Sequence, residues 1–173
     1  LLLLQGFSPI TGCTFVGNQA NRGGAIYFDM QSSGFLPQIS NCTFADNTAE
    51  YGSALKISGS GPNAASVSTS LIAFNNDNNW PPNENKWLHL GPNSTIMFQC
   101  CNVYGNAGGD WVGSVADQGD LPGAMSREPK FCDPANGDYT LESTSPCLPG
   151  VPGNPTCGLI GSRGEGCDYR GLI

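Results

Sequence analysis

A six-residue phrase returns four times along the chain, as Cys13-Thr-Phe-Val-Gly-Asn18, Cys42-Thr-Phe-Ala-Asp-Asn47, Leu71-Ile-Ala-Phe-Asn-Asn76 and Cys101-Asn-Val-Tyr-Gly-Asn106. The closing asparagines lie 29, 29 and 30 residues apart. A short strand that recurs at such a period cannot bury its apolar face alone, so neighbouring copies stack on one another. The phrase therefore predicts a solenoid. Asn18, Asn47, Asn76 and Asn106 should form a ladder of amides hydrogen-bonded from coil to coil at one bend. Such a ladder holds a scaffold together and performs no chemistry.

The rest of the repeat fills in the coil. Ile10, Cys13, Phe15 and Gly24-Ala-Ile-Tyr-Phe28 match Ile39, Cys42, Phe44 and Ser53-Ala-Leu-Lys-Ile57 one period later. Cys42 and Phe44 alternate with Thr43 and Ala45, the period-two mark of a half-buried strand. Gly12 and Asn41 precede this strand, and both tolerate the left-handed conformation that a tight bend requires. Three short strands per coil are expected, with about 4.8 Å between coils. The fold class is all-β, a parallel β-helix of about four to five coils of ~29–30 residues. Trp80-Pro-Pro82 reads as an inserted loop in coil three, and Gly59-Ser-Gly-Pro-Asn63 as an excursion in coil two. The coils should occupy residues 1–113. Residues 114–173 should hold a last coil and an irregular terminal cap rich in Cys, Pro and Gly.

Composition agrees with a turn-rich β-protein: 24 Gly and 13 Pro, with only 12% charged residues. The net charge of −7, with seven basic residues scattered singly, leaves no basic patch for nucleic acid or an anionic membrane. No apolar run is long enough to span a bilayer as a helix. In the repeat register Leu1 corresponds to Met30, so the sequence reads as a mature or trimmed piece that starts inside a coil.

The cysteines form two sets. Cys13, Cys42 and Cys101 share one column of the repeat, where Leu71 substitutes, and read as core thiols. Cys132, Cys147, Cys157 and Cys167 lie in a segment with little apolar content, which an oxidising compartment would staple. The sequence leaves the pairing open, and closure of short local loops favours Cys132–Cys147 and Cys157–Cys167. No Cys-x-x-Cys pair exists and His89 is the only histidine, so no metal or other cofactor is expected.

The phrase (Asn/Gly)-Cys-Thr-Phe-x-x-Asn followed by Gly-Gly-Ala-Ile resembles the secreted right-handed parallel β-helix repeats of pectate-lyase-like folds and bacterial polymorphic outer-membrane proteins. Cys101-Asn-Val-Tyr-Gly-Asn-Ala-Gly-Gly-Asp-Trp111, Phe131-Cys-Asp-Pro134, Gly137-Asp-Tyr-Thr-Leu141, Ser145-Pro-Cys147 and Cys157-Gly-Leu-Ile-Gly161 resemble the ends of bacterial secreted β-helix proteins. The resemblance implies a right-handed coil and an extracellular or cell-surface location. It implies little about activity.

An enzyme on this fold would be expected to cut or epimerise polysaccharide. That requires paired carboxylates across a cleft, or a Ca²⁺-binding carboxylate cluster beside a basic residue. The candidate acids are Asp29, Asp46, Asp77, Asp110 and Asp117. Asp46 aligns with Gly17, Asn75 and Gly105, so no acidic row builds up on that face. Asp77, Lys86 and His89 could gather around the inserted loop. Lys56 aligns with Tyr27 and His89 in one outward column. Tyr27, Tyr51, Trp80 and Trp87 are the candidate glycan contacts, since flat aromatic faces bind sugar rings without catalysis. Asn41-Cys-Thr43 and Asn93-Ser-Thr95 match the glycosylation pattern by chance composition. Thr14 and Thr43 align, but Ile72 and Asn102 break the threonine row that ice binding would need. The leading expectation is an extracellular structural or adhesive β-helix without enzymatic activity. It could assemble with copies of itself, head to tail into a surface filament or by strand addition. The alternative is a module that binds or cleaves extracellular polysaccharide.

Overall fold

Each coil turns at bends where one residue adopts a left-handed backbone, and between the bends the chain is extended. The computed structural model describes residues 2–3, 9–30, 36–59, 63–77, 86–154 and 156–168. After β1 (Leu2–Leu3), one coil contains β2 (Ile10–Thr11), β3 (Thr14–Val16), β4 (Gln19–Arg22) and β5 (Ile26–Met30). The next contains β6 (Gln38–Ser40), β7 (Thr43–Ala45), β8 (Thr48–Tyr51) and β9 (Leu55–Gly59). A third contains β10 (Asn63–Ser68), β11 (Leu71–Ala73), β12 (Asn76–Asp77) and β13 (Leu88–Leu90), and a fourth opens with β14 (Ser94–Gln99) and β15 (Asn102–Tyr104). Equivalent strands pair in parallel as β1-β5-β9-β13, β2-β6-β10-β14, β3-β7-β11-β15 and β4-β8-β12. The architecture is an all-β parallel solenoid of about five turns.

Two expectations about the coil change. There are four strands per complete coil, because the polar stretch after each ladder asparagine is itself extended. All four side chains of β4 are exposed, so no apolar alternation announced that strand. Leu2 and Leu3 stand opposite Tyr27 and Phe28, four residues from the register that pairs Leu1 with Met30; Leu1 itself lies outside the described residues.

The expected bend at Gly12 and Asn41 forms, with φ of 64° and 49°, and continues through Thr69 and Cys100 at 43° and 54°. A second left-handed column runs through Gly17, Asp46, Phe74 and Gly105. Phe74, not Asn75, is therefore the coil-three equivalent of Asp46. The pairing Leu71–Thr43, Ile72–Phe44 and Ala73–Ala45 fixes the same one-residue shift. Because strand faces alternate, the other register would turn Ile72 out of the core.

The shift relocates two columns. Ser70, not Leu71, shares a column with Cys13, Cys42 and Cys101. The side chains of these four residues donate to Thr11 O, Ser40 O, Ser68 O and Gln99 O, each two residues back. A hydroxyl can replace a thiol in that role and a leucine cannot. The ladder likewise runs Asn18–Asn47–Asn75–Asn106, and Asn76 instead begins β12. Asn18 donates from its backbone N and Nδ2 to Asn47 Oδ1, at 3.0 and 2.8 Å. Asn47 donates in the same way to Asn75 Oδ1, and Asn75 to Asn106 Oδ1. The last rung, Asn106, donates its backbone N to the carboxylate Oδ1 of Asp110 at 3.0 Å.

The solenoid interior is filled by Ile26, Phe28, Ile39, Phe44, Leu55, Ile57, Ile72 and Trp87 among others. Phe15 and Phe44 stack with centroids 5.1 Å apart. A second apolar cluster lies outside the coil, where Ala45, Leu71 and Ala73 meet Phe131, Tyr139, Leu141, Cys147, Leu148 and Ile160. It is built by β16 (Phe131–Asp133), β17 (Asp138–Glu142) and β18 (Glu165–Cys167), with β16–β17 antiparallel and β17–β18 parallel. The C-terminal region thus does more than sit on the end of the rod. It returns along the flank, where Gly161 N donates to Thr69 O and Ser162 N to Thr43 Oγ1, and Ser162 Oγ pairs with Thr14 Oγ1. The threonine row is covered.

The end of the rod is closed separately. Gln118, on a 3₁₀ turn spanning Gly113–Gln118, accepts from Phe98 N at 2.8 Å and donates to Ile96 O at 2.9 Å. Met125 continues the β15 ladder through its own backbone, accepting from Val103 N and donating to Cys101 O. One side-chain amide and one backbone segment thereby satisfy strand edges that would otherwise stay open.

The disulfides are Cys100–Cys157 and Cys132–Cys167, with Cα–Cα distances of 5.4 and 6.0 Å. The expected Cys132–Cys147 and Cys157–Cys167 pairs do not form. Local-loop closure fails as a guide because the tail folds back: Cys157 meets the bend at Cys100, and β18 brings Cys167 to Cys132. Cys147 is instead a buried thiol in the outer cluster, accepting from Asn102 Nδ2 at 3.2 Å.

The register makes a direct prediction. Asn75→Ala removes the acceptor shared by Asn47 N and Nδ2 and the donor to Phe44 O, leaving the buried Asn47 N–H without a partner, and should lower unfolding stability by about 3 kcal/mol. Asn76→Ala, at an exposed position, should change it by no more than about 0.5 kcal/mol. Urea denaturation of the two variants checks both.

Candidate functional site

The parallel ladder β5-β9-β13 places Tyr27, Lys56 and His89 side by side, as their spacing implied. Tyr51 joins them from β8. Its ring meets His89 edge-on at 5.5 Å, and its register partner on β4 is Arg22. Lys56 Nζ lies 5.1 Å from the Tyr51 ring centre and 5.9 Å from that of Tyr27. The Tyr27 hydroxyl pairs with Ser58 Oγ at 2.9 Å. Lys56 is only 6% exposed, although its column faces outward, because the rings on either side enclose its stem. Burial holds its ammonium below the usual lysine range, Arg22 adds to this by repulsion, and Asp29 opposes it. Burial and the neighbouring Glu50 push the Tyr51 hydroxyl up.

Of the four aromatic candidates, this brings together Tyr27 and Tyr51. Trp87 is excluded from any surface, being fully buried with its indole Nε1 donating to Asp110 O at 2.9 Å. Trp80 lies outside the described residues. Sequence reasoning placed Lys56 in the right column but missed its burial. Its signal was a cation at a column position flanked by aromatic residues in the adjacent coil and strand.

The candidate acids do not converge. Asp46 accepts from the Tyr139 hydroxyl at 2.7 Å and so anchors the flanking tail. Asp110 ends the ladder and also accepts from Ser126 Oγ at 2.7 Å. Asp29 borders the Lys56 face, and Asp117 is exposed on the 3₁₀ turn. The side chain of Asp77 is outside the described set, so its grouping with Lys86 and His89 is not addressed. Of the two glycosylation-type asparagines, Asn41 donates Nδ2 to Leu159 O beneath the tail, while Asn93 is exposed in a left-handed turn.

Two hollows open in the C-terminal region. One of about 400 Å³ is lined by Phe74, Glu128, Lys130, Phe131, Pro134 and Glu142. Another of about 280 Å³ lies beside the Cys132–Cys167 bridge and collects Asp133, Asp138, Glu142 and Asp168. Hydrogen bonds from the Thr140 side chain and backbone hold the Asp138 carboxyl below its usual range. Among the described residues no group of three or more His, Cys, Asp or Glu is arranged to hold a metal ion.

The reduced thiols in the interior are poor nucleophiles. Burial pushes Cys42 and Cys147 up to about 11 and Cys101 up to about 12. An unfolded thiol ionises near 9, so between pH 9 and 12 the unfolded chain releases protons that the native state retains. This contribution to stability should be intact below pH 9 and fall steadily as pH rises towards 12. Denaturant midpoints measured across that range should decline for the native chain. The decline should shrink in Cys101→Ser, which keeps the donor that Ser70 supplies in the same column.

Residues 12–29 match a family model described as the Chlamydia polymorphic membrane protein repeat. The matched stretch begins at the left-handed Gly12 and runs through β3 and β4 into β5. It includes core Phe15, ladder Asn18 and the Gly23-Gly24 bend. No curated protein and no solved structure shows a significant match to the chain. No helix among the described residues is long and apolar enough to cross a membrane.

Proposed function

We propose that this chain is a structural or adhesive element of a bacterial cell surface, a rigid β-solenoid that displays binding faces to the extracellular medium. The observation that carries the reading is the doubly fastened rod. A continuous amide ladder runs through it, and a tail bonded by two disulfides covers one flank. Two bridges in one small domain suit an oxidising compartment. The match to a polymorphic membrane protein repeat points to the same setting. Assembly with further copies is part of the proposal.

A second reading, a polysaccharide-binding or polysaccharide-cleaving module, is favoured by one observation, the aromatic face around Lys56. A panel of acidic polysaccharides, assayed for unsaturated products with and without Ca²⁺, separates the two. The scaffold reading expects no turnover on any substrate. Turnover that disappears in Asp77→Ala would replace it with the lyase reading.

A further inference from the structure

Among the described residues Lys56 is the only charged side chain that the fold buries. Among the described residues no ion pair or hydrogen bond engages its ammonium. Its close neighbours are the faces of Tyr51 and Tyr27. The charged groups near this face are Asp29, which attracts the ammonium, Arg22, which repels it, and Glu50, which acts on the Tyr51 hydroxyl. Burying a cation without a counter-ion is costly, and aromatic faces offset only part of the loss of hydration. A chain selected for packing alone would place a neutral residue in this column, as it does with Tyr27 and His89. Lys56 nevertheless keeps 6% of its surface in contact with solvent.

Such a cation is set up to receive an anion from outside. The flanking rings indicate what should carry it. A free phosphate or acetate ion would engage Lys56 and leave both rings unused, whereas a sugar ring would pack against Tyr27 or Tyr51 while its acidic substituent reached the ammonium. We propose that the Tyr27–Lys56–Tyr51 face, bordered by Arg22 and His89, binds a saccharide bearing a carboxylate or sulfate. Lys56 holds the anion and the two tyrosines hold the ring. This rests on the glycan-binding reading above and specifies its chemistry. It requires no bond-making step, so a surface scaffold can carry it as an adhesive site.

Isothermal titration calorimetry on the intact chain tests this with four probes: oligogalacturonate, a sulfated chondroitin oligosaccharide, a neutral cello-oligosaccharide and inorganic phosphate. The expected result is binding of at least one anionic oligosaccharide roughly ten-fold or more tighter than the neutral one, weakening as salt is raised. The uronate and sulfate arms decide which anion is preferred. Lys56→Met should remove the preference, with an unchanged circular dichroism spectrum and an unchanged or raised melting temperature. Lys56→Arg should keep the preference, and Tyr51→Ala should weaken binding of every saccharide. If neutral and anionic oligosaccharides bind equally and Lys56→Met has no effect, the anion assignment fails while glycan binding stands. Phosphate binding as tightly as any oligosaccharide removes the sugar from the proposal. If no saccharide binds, both this inference and the glycan reading fall.

Discussion

The buried asparagine ladder is the interaction on which the other features of this fold depend. Each side-chain oxygen from Asn47 onward accepts both the backbone N–H and the amide N–H of the preceding rung. The amides also reach carbonyls of the preceding coil, as Asn75 Nδ2 does to Phe44 O at 3.0 Å. A bend that turned these groups inward without partners would be costly, so each coil fixes the position of the next. All the rung-to-rung donors point towards the following coil, and the final one meets a carboxylate. Asp110 therefore ends the series with a charge-assisted bond where another asparagine would need a further coil. The carbonyl of the same residue accepts from the Trp87 indole, which ties the ladder's end to the interior core.

Stacking alone leaves one flank with apolar and small residues turned outward. Ala45, Leu71 and Ala73 form a floor that water would otherwise cover, and the C-terminal region closes over it. The two disulfides match that task. Cys100–Cys157 fastens the tail to a bend of the last coil, and Cys132–Cys167 joins β16 to β18. The first bridge closes a span of 57 residues, long enough to restrict the unfolded chain substantially. Tyr27, Tyr51 and Lys56 gather at a different part of the coil, on strands outside that floor.

Much of this was legible from the sequence, within limits set by physics. Phe15 and Phe44 could be stacked correctly because their surroundings repeat without change. Gly12 and Asn41 marked a bend because few residues accept its backbone. Coil three was read one residue out of register because Asn75 and Asn76 both fit the phrase, while the residues that decide between them disguise their roles. Phe74 occupies a left-handed position that normally selects glycine, and Ser70 replaces a thiol. The disulfide pairing depended on a tail returning along the flank, which no local pattern encodes. The Tyr27–Lys56–His89 column was visible in the period. The burial of Lys56 was not, since it arises from Tyr51 on a strand whose neighbour in the previous coil shows no apolar alternation.

The rod is thus organised from the inside by amides and closed along one flank by its own tail. The most direct measurement of that organisation is side-chain amide exchange followed by NMR after transfer to deuterated water. The Nδ2 protons of Asn47 and Asn75, buried and bonded between coils, should be the last asparagine amides to exchange, persisting well after those of exposed Asn93 and Asn136 have gone. Loss of the Asn47 and Asn75 signals as quickly as those of Asn93 and Asn136 would contradict the account, because no continuous ladder would then be holding the coils in register.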